Sequence, residues 1–107
     1  MCTCCSTELK VFCVEFVTQE PVSTDVNLYK EIAHRLFQAK VASSVNVGNN
    51  KAYFQDGKQI FGFDLHLSNH NNPEAVTLVN VENALVGITD QFDGYCEMMI
   101  KSRGCED

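Results

Sequence analysis

An α+β fold, a four-stranded antiparallel sheet with two helices on one face, is what this 107-residue sequence predicts. Three observations carry the expectation. A short, nearly continuous apolar run opens the ordered part of the chain. The spacing of apolar residues then changes from the helical to the extended period within one segment. Two extended runs flank an Asp-Gly pair, and a proline-marked helix start follows them.

Residues 9–18, LKVFCVEFVT, combine β-branched and aromatic residues in a run short enough for a strand buried on both faces. Glu15 is the one carboxylate inside it. An unpaired buried charge costs several kcal/mol, so Glu15 belongs either at an open end or in contact with a site. Residues 19–24 form a turn around Pro21, with Ser23, Thr24 and Asp25 as capping side chains for the helix that follows. In that helix Val26, Tyr29, Ile32, Ala33, Leu36, Phe37 and Val41 fall on one stripe. Lys30, Glu31, His34 and Arg35 take the other face, with Glu31 one turn before Arg35. From Val41 to Val47 the period is two, which marks a strand.

Gly48, Asn49 and Asn50 form a turn or bulge, after which residues 51–55 resume the extended pattern. Asp56-Gly57 is a strong hairpin signal, because both central residues of a type I′ turn need positive φ. The returning strand, residues 58–68, places Phe61, Phe63, Leu65 and Leu67 on one face and Ile60, Gly62, Asp64 and His66 on the other. Asn72-Pro73-Glu74 offers a cap, a proline at the first helical position and an acid at the positive end of the dipole. A second helix continues to Phe92, although VTLVNV within it also fits a strand. A final strand covers residues 95–102, and a polar tail follows. Strand, helix, strand, strand, helix, strand is the order of the ferredoxin-like sandwich. Residues 1–8 read as a flexible cysteine-rich arm, and 9–107 as the single domain.

The bulk composition narrows the partners. Fourteen acidic residues against eight basic give a net charge of −6, with no cluster of Lys and Arg to meet a phosphate backbone, so nucleic acid is not expected. No run approaches the roughly 20 apolar residues of a membrane span, and the start has no signal-peptide pattern. A cytoplasmic location with reduced thiols is the expectation.

Cys2, Cys4 and Cys5 place three soft ligands on the arm, a set suited to Cu(I) or Zn(II), but a structural zinc site takes four ligands, usually as two well-spaced pairs, and beyond Cys2 and Cys5 the chain has no second C-x-x-C. The competing reading is a loose arm with incidental thiols. Cys13 fits as a small core residue. Asp64 and His66 share a strand face and either hold a cation or meet water, with the surface favoured. No G-x-S-x-G, P-loop, G-x-G-x-x-G or H-E-x-x-H occurs, so no catalytic residue is singled out.

The segment IAHRLFQAKVASSVNV, residues 32–47, resembles the part of the CutA family in which an Ile-Ala helix end leads through a basic residue and Leu-Ala-Ala-Cys into Val-Asn-Ile. CVEFVT resembles that family's first strand, KAYFQDGK its hairpin, DLHLSN its third strand and DGYCEMMIKS its last. Ser44 stands where the family has cysteine, and Asp93-Gly94 where it has His-Pro. The resemblance implies a homotrimer with sheets packed edge to edge, linked to divalent-cation or copper tolerance and without established catalysis. It implies an inter-subunit cleft near Ser44, Tyr53, Lys58, Asp93, Tyr95 and Cys96, where a small ligand or metal ion would bind. The rival expectation is a small enzyme on a dimeric ferredoxin-like scaffold, with Glu15, His66 or a cysteine acting in a cleft between sheet and helices.

Overall fold

The computed structural model describes residues 9–19 and 26–105. Strand β1 covers Lys10–Thr18, helix α1 Val26–Gln38, β2 Ser44–Gln55, β3 Lys58–Ser68, helix α2 Leu78–Leu85 and β4 Tyr95–Cys105. The strands form one sheet in the order β2-β3-β1-β4, with every neighbouring pair antiparallel. This is the expected ferredoxin-like α+β arrangement, with β2 and β4 at the edges. The cysteine-rich arm with Cys2, Cys4 and Cys5, the turn at Pro21 and the caps at Ser23 to Asp25 lie outside the described residues.

The helices cover one face because that is where the sheet is apolar. Phe12, Val14 and Phe16 of β1 and Phe61, Phe63, Leu65 and Leu67 of β3 pack with Leu28, Ile32 and Leu36 of α1 and Val81 and Leu85 of α2. Burying each such side chain contributes about 1.5–3 kcal/mol, which makes this layer the main source of stability. Tyr29 meets Phe63 edge to face at 5.0 Å, and Tyr95 meets Phe16 in the same way at 5.2 Å.

Several sequence expectations need correcting. The α1 stripe runs through Leu28, Ile32 and Leu36 at spacing four, while Val26 and Phe37 are exposed. Helix α1 ends at Gln38, and Val41 and Ala42 are buried in the connection, so β2 starts at Ser44 rather than at Val41. The second helix is not continuous from Asn72 to Phe92. A 3-10 turn takes Pro73–Ala75, Thr77 then caps α2 by accepting from the Asn80 amide, and Gly87 at φ 77 precedes another 3-10 turn at Ile88–Gln91. Pro73 does open a helical turn, but only a single one, and the Asn72 side chain makes no capping hydrogen bond to it. Finally, Arg103 is not in a tail, because β4 continues to Cys105.

The register of β2 is set by one extra residue. Gly48 pairs with Asp64 and Lys51 pairs with Gly62, so Asn49 and Asn50 together oppose Phe63. Asn49 adopts φ 54, and the Asn50 side chain accepts a 3.0 Å bond from the Tyr29 hydroxyl. Without the extra residue, alternation from Val47 would turn Lys51 and Tyr53 toward the helices; with it, both face the uncovered side of the sheet. Beyond the bulge the β2–β3 hairpin extends past the helical layer, leaving Phe54 at its end 74% exposed. Asp56 and Gly57 both have positive φ, at 54° and 78°, as the predicted turn requires.

Candidate functional site

The side of the sheet away from the helices holds a cluster of charged and polar groups. Cross-strand pairing assembles it: Cys13 and Glu15 of β1, Gly62 and Asp64 of β3, Lys51 and Tyr53 of β2, and Met99 and Lys101 of β4 occupy adjacent positions on this face. Sheet pleating therefore brings together residues separated by up to 88 positions, since Cys13 pairs with Lys101.

Glu15 is the centre of one half. The Tyr53 hydroxyl donates to its Oε2 at 2.5 Å, and the Lys51 ammonium lies 3.5 Å from the same oxygen. Lys51 also donates to Cys13 Sγ at 3.8 Å, which places that thiol under a cation. The bond from Tyr53 holds the Glu15 carboxyl below its ordinary value; burial opposes this, and the charges of Lys51 and Lys101 reinforce it. The same bond pushes the Tyr53 hydroxyl up to about 12. A carboxylate held low and already paired is a poor general base near neutral pH and is not a proton donor there. The arrangement fixes charge in place.

Asp64 is the centre of the other half. It is buried, contrary to the expected surface position, and accepts from Asn49 Nδ2 at 2.9 Å and from Arg103 Nη1 at 3.1 and 3.3 Å. Both donors come from bulges in the edge strands, since Arg103 is the extra residue where the β1–β4 register shifts between Val11 and Phe12. Two irregularities thus converge on one carboxylate. Gly62 makes the crowding possible, because a Cβ there would lie 3.1 Å from both Glu15 Cγ and Lys51 Cε and 3.2 Å from the Val14 carbonyl.

The residues expected to form the cleft fall into two groups. Tyr53, Lys58, Asp93, Tyr95 and Cys96 gather at one end of the sheet, where Thr18 pairs with both Gln59 and Tyr95. Lys58, Asp93 and Cys96 are exposed there, whereas Tyr95 is buried against Phe16 and Phe92. Ser44 is at the far end of β2, nine residues and roughly 25–30 Å from Tyr53. One subunit therefore does not bring Ser44 together with the rest. Among the described residues no three His, Cys, Asp or Glu side chains are grouped as a metal ion needs, so they do not fit a Cu or Zn site. His66 is partly buried beside Gly48, and His34 and His70 are exposed.

The sequence pattern singles out Glu15 but not Asn49, Lys51 or Arg103. The Gly48-Asn49-Asn50 bulge is the one available signal, since counting across it moves Lys51 and Tyr53 to the face of Glu15. Nothing in the sequence points to Arg103.

No family model matches the sequence, and no curated protein matches it. Similarity appears at the level of structure. The periplasmic divalent cation tolerance protein CutA from Archaeoglobus fulgidus superposes with a TM-score of 0.54 at 14% identity, over 92% of this chain and 85% of that one. A de novo designed protein, Foldit4, aligns at 15% identity over 92% and 97% of the two chains, with a TM-score of 0.44. A dimeric ferredoxin-like protein of unknown function from Thermobifida fusca aligns at 10% identity over 90% and 91%, with a TM-score of 0.35. What the likeness to the Archaeoglobus fulgidus protein establishes for the present chain is a CutA-like fold, in agreement with the ferredoxin-like strand order.

Proposed function

We propose that this chain is a non-enzymatic, CutA-like binding protein that assembles as a homotrimer and holds a small ligand or a metal ion in clefts between subunits. The observation that carries the reading is the β2–β3 hairpin. It extends past the helices with Phe54 and Tyr53 exposed and with β2 as a free edge, and β4 is the opposite free edge. An exposed edge of this length is a template for pairing with another chain. In an all-antiparallel sheet of four strands β2 and β4 run in opposite directions, so β2 of one copy can continue the sheet at β4 of the next. Such head-to-tail contacts close into a ring of three when each copy is rotated by a third of a turn from the last, which the proposed trimer requires. The likeness to CutA adds support on the side of the fold.

In that pairing Tyr53 of one copy comes beside Tyr95 and Cys96 of the next, close to the exposed Lys58 and Asp93, while Ser44 lies at the other end of the seam, beside the end of β4. That union supplies the cleft which a single subunit does not form. The arm thiols Cys2, Cys4 and Cys5 are the ligands proposed for a metal ion, and they lie outside the described residues. Among the described residues no helix is long and apolar enough to cross a membrane. The free thiols of Cys13 and Cys96 are compatible with the proposed cytoplasmic location.

Light scattering on the full chain, with and without chelator, together with metal analysis, tests the reading. A trimer whose mass does not change with chelator is the expected result. A monomer overturns the proposal, a dimer favours an enzyme on a dimeric scaffold, and a mass that depends on metal transfers the assembly to the thiols.

A further inference from the structure

A pocket of about 510 Å³ opens where the end of α1 meets the turn after β3. That volume suits a small organic molecule and exceeds what a single ion requires. Its apolar side is the ring of Phe37, 47% exposed, and the buried methyl of Ala42. Its polar side comprises Lys40, Ser43, Asn69, Asn71 and Asn72. Among the described residues Lys40 carries the only charge in the lining, and no carboxylate is present there.

Two observations mark this as a built site. The first is Asn69, which is buried and fully committed. Its amide donates to the Lys40 and Val41 carbonyls at 3.1 and 3.0 Å, and its Oδ1 accepts from the backbone N–H groups of Asn71 and Asn72 at 3.0 and 2.9 Å. One side chain thus ties the helix end to the turn and fixes both walls. The second is the backbone of Lys40, at φ 60. Its N–H donates to the Phe37 carbonyl, and the Val41 N–H donates to the Leu36 carbonyl, each at 3.0 Å. This is the helix-ending motif whose left-handed position favours glycine. A lysine there strains the backbone, and residues held in such strain concentrate at functional sites. Among the described residues its ammonium forms no ion pair.

We propose that this pocket binds a small organic anion, a carboxylate or phosphate attached to a flat apolar group. Lys40 supplies the counter-charge, the Asn71 and Asn72 amides donate to the anion, and Phe37 and Ala42 cover the apolar part. A cation ringed by neutral donors, with no carboxylate among them, selects negative charge. The site is contained in one subunit and does not depend on assembly.

The full chain is titrated in low-salt buffer with benzoate, phenyl phosphate, inorganic phosphate and the neutral benzamide, following amide shifts at residues 40–43 and 69–72. One of the two aromatic anions is expected to bind in the millimolar range, with benzamide about tenfold weaker or more. Whichever anion binds tighter identifies the carboxylate or the phosphate as the preferred group. Lys40→Gly is the decisive variant, because it removes the ammonium while relieving the backbone. Its Tm is expected to be unchanged or higher by up to about 5 °C. Its affinity for the aromatic anion is expected to fall about tenfold or more. Equal binding by Lys40→Gly, equal binding of benzamide, or no shift at these residues with any probe at tens of millimolar overturns the proposal.

Discussion

The two faces of the sheet are buried by different means. On the helix side, Phe12, Phe16, Phe63 and Leu65 are covered by a second layer, and their order comes from filling volume. On the other side, Val11, Cys13 and Asp64 are almost as inaccessible, at 4%, 2% and 3%, although neither helix packs there. Cys13 and Asp64 are covered by long side chains of their own sheet, Lys51 over Cys13 and Arg103 over Asp64, each held by an opposite charge. Burial by a packed layer tolerates changes of detail as long as volume is kept. Burial by charged arms depends on strand register, because the arms reach their partners only from particular positions. The uncovered face is thus ordered by hydrogen bonds and bulges, and it is the more fragile in pH.

Substitutions on each side sharpen this contrast. The largest loss is expected from Phe63→Ala, about 3–5 kcal/mol, since it leaves a cavity between sheet and helices. Denaturant unfolding measures it, and a loss below about 1 kcal/mol would break the claim that the helix side dominates. Asp64→Ala comes next, at about 1–3 kcal/mol, because it removes the buried acceptor that holds both bulges through Asn49 and Arg103. Arg103→Ala should cost less, as its side chain is half exposed and water can replace it. The reverse ranking of these two variants would remove Asp64 from the centre of the clasp.

The smallest effect at neutral pH is Tyr53→Phe, under about 1 kcal/mol for one exposed hydrogen bond, and its signature is the pH profile. The folded-state Glu15 carboxyl lies below its ordinary 4.5, so its contribution is present above that value and is lost as pH falls through the lowered one. Tyr53 is pushed up from 10.0 to about 12, so its contribution is present below pH 10 and is lost as pH rises through about 12. Tyr53→Phe should abolish the alkaline loss and weaken the acid one. Superimposable profiles of unfolding midpoint against pH for the two proteins would dissolve the pair.

The same contrast explains what can be read from the chain. The helix-covered face follows local periodicity, so alternation alone places Phe61, Phe63, Leu65 and Leu67 on one side of β3, and the Asp56-Gly57 turn follows from its φ requirement. Helix α2 is legible only as helix, because Thr77 and Gly87 set its ends more strongly than the proline signal at Asn72 and Pro73. The uncovered face is a product of register. Glu15 stands out as an isolated charge, but its partners Tyr53 and Lys51 are 38 and 36 positions away and reach it only because of the bulge. Arg103 reads as a tail, since no periodicity extends β4 past Ser102.

Gly62 carries a consequence for how this sequence can drift. Every other residue introduces a Cβ, and at this position it would meet two side chains that can yield and one carbonyl that cannot move freely. A replacement survives only alongside a shortening of Glu15 or Lys51, and either shortening dismantles part of the charge arrangement. The three positions are therefore expected to vary together or not at all among descendants of this chain. A set of such descendants would show their coupling as paired changes, while residues on the helix side exchange one apolar shape for another independently.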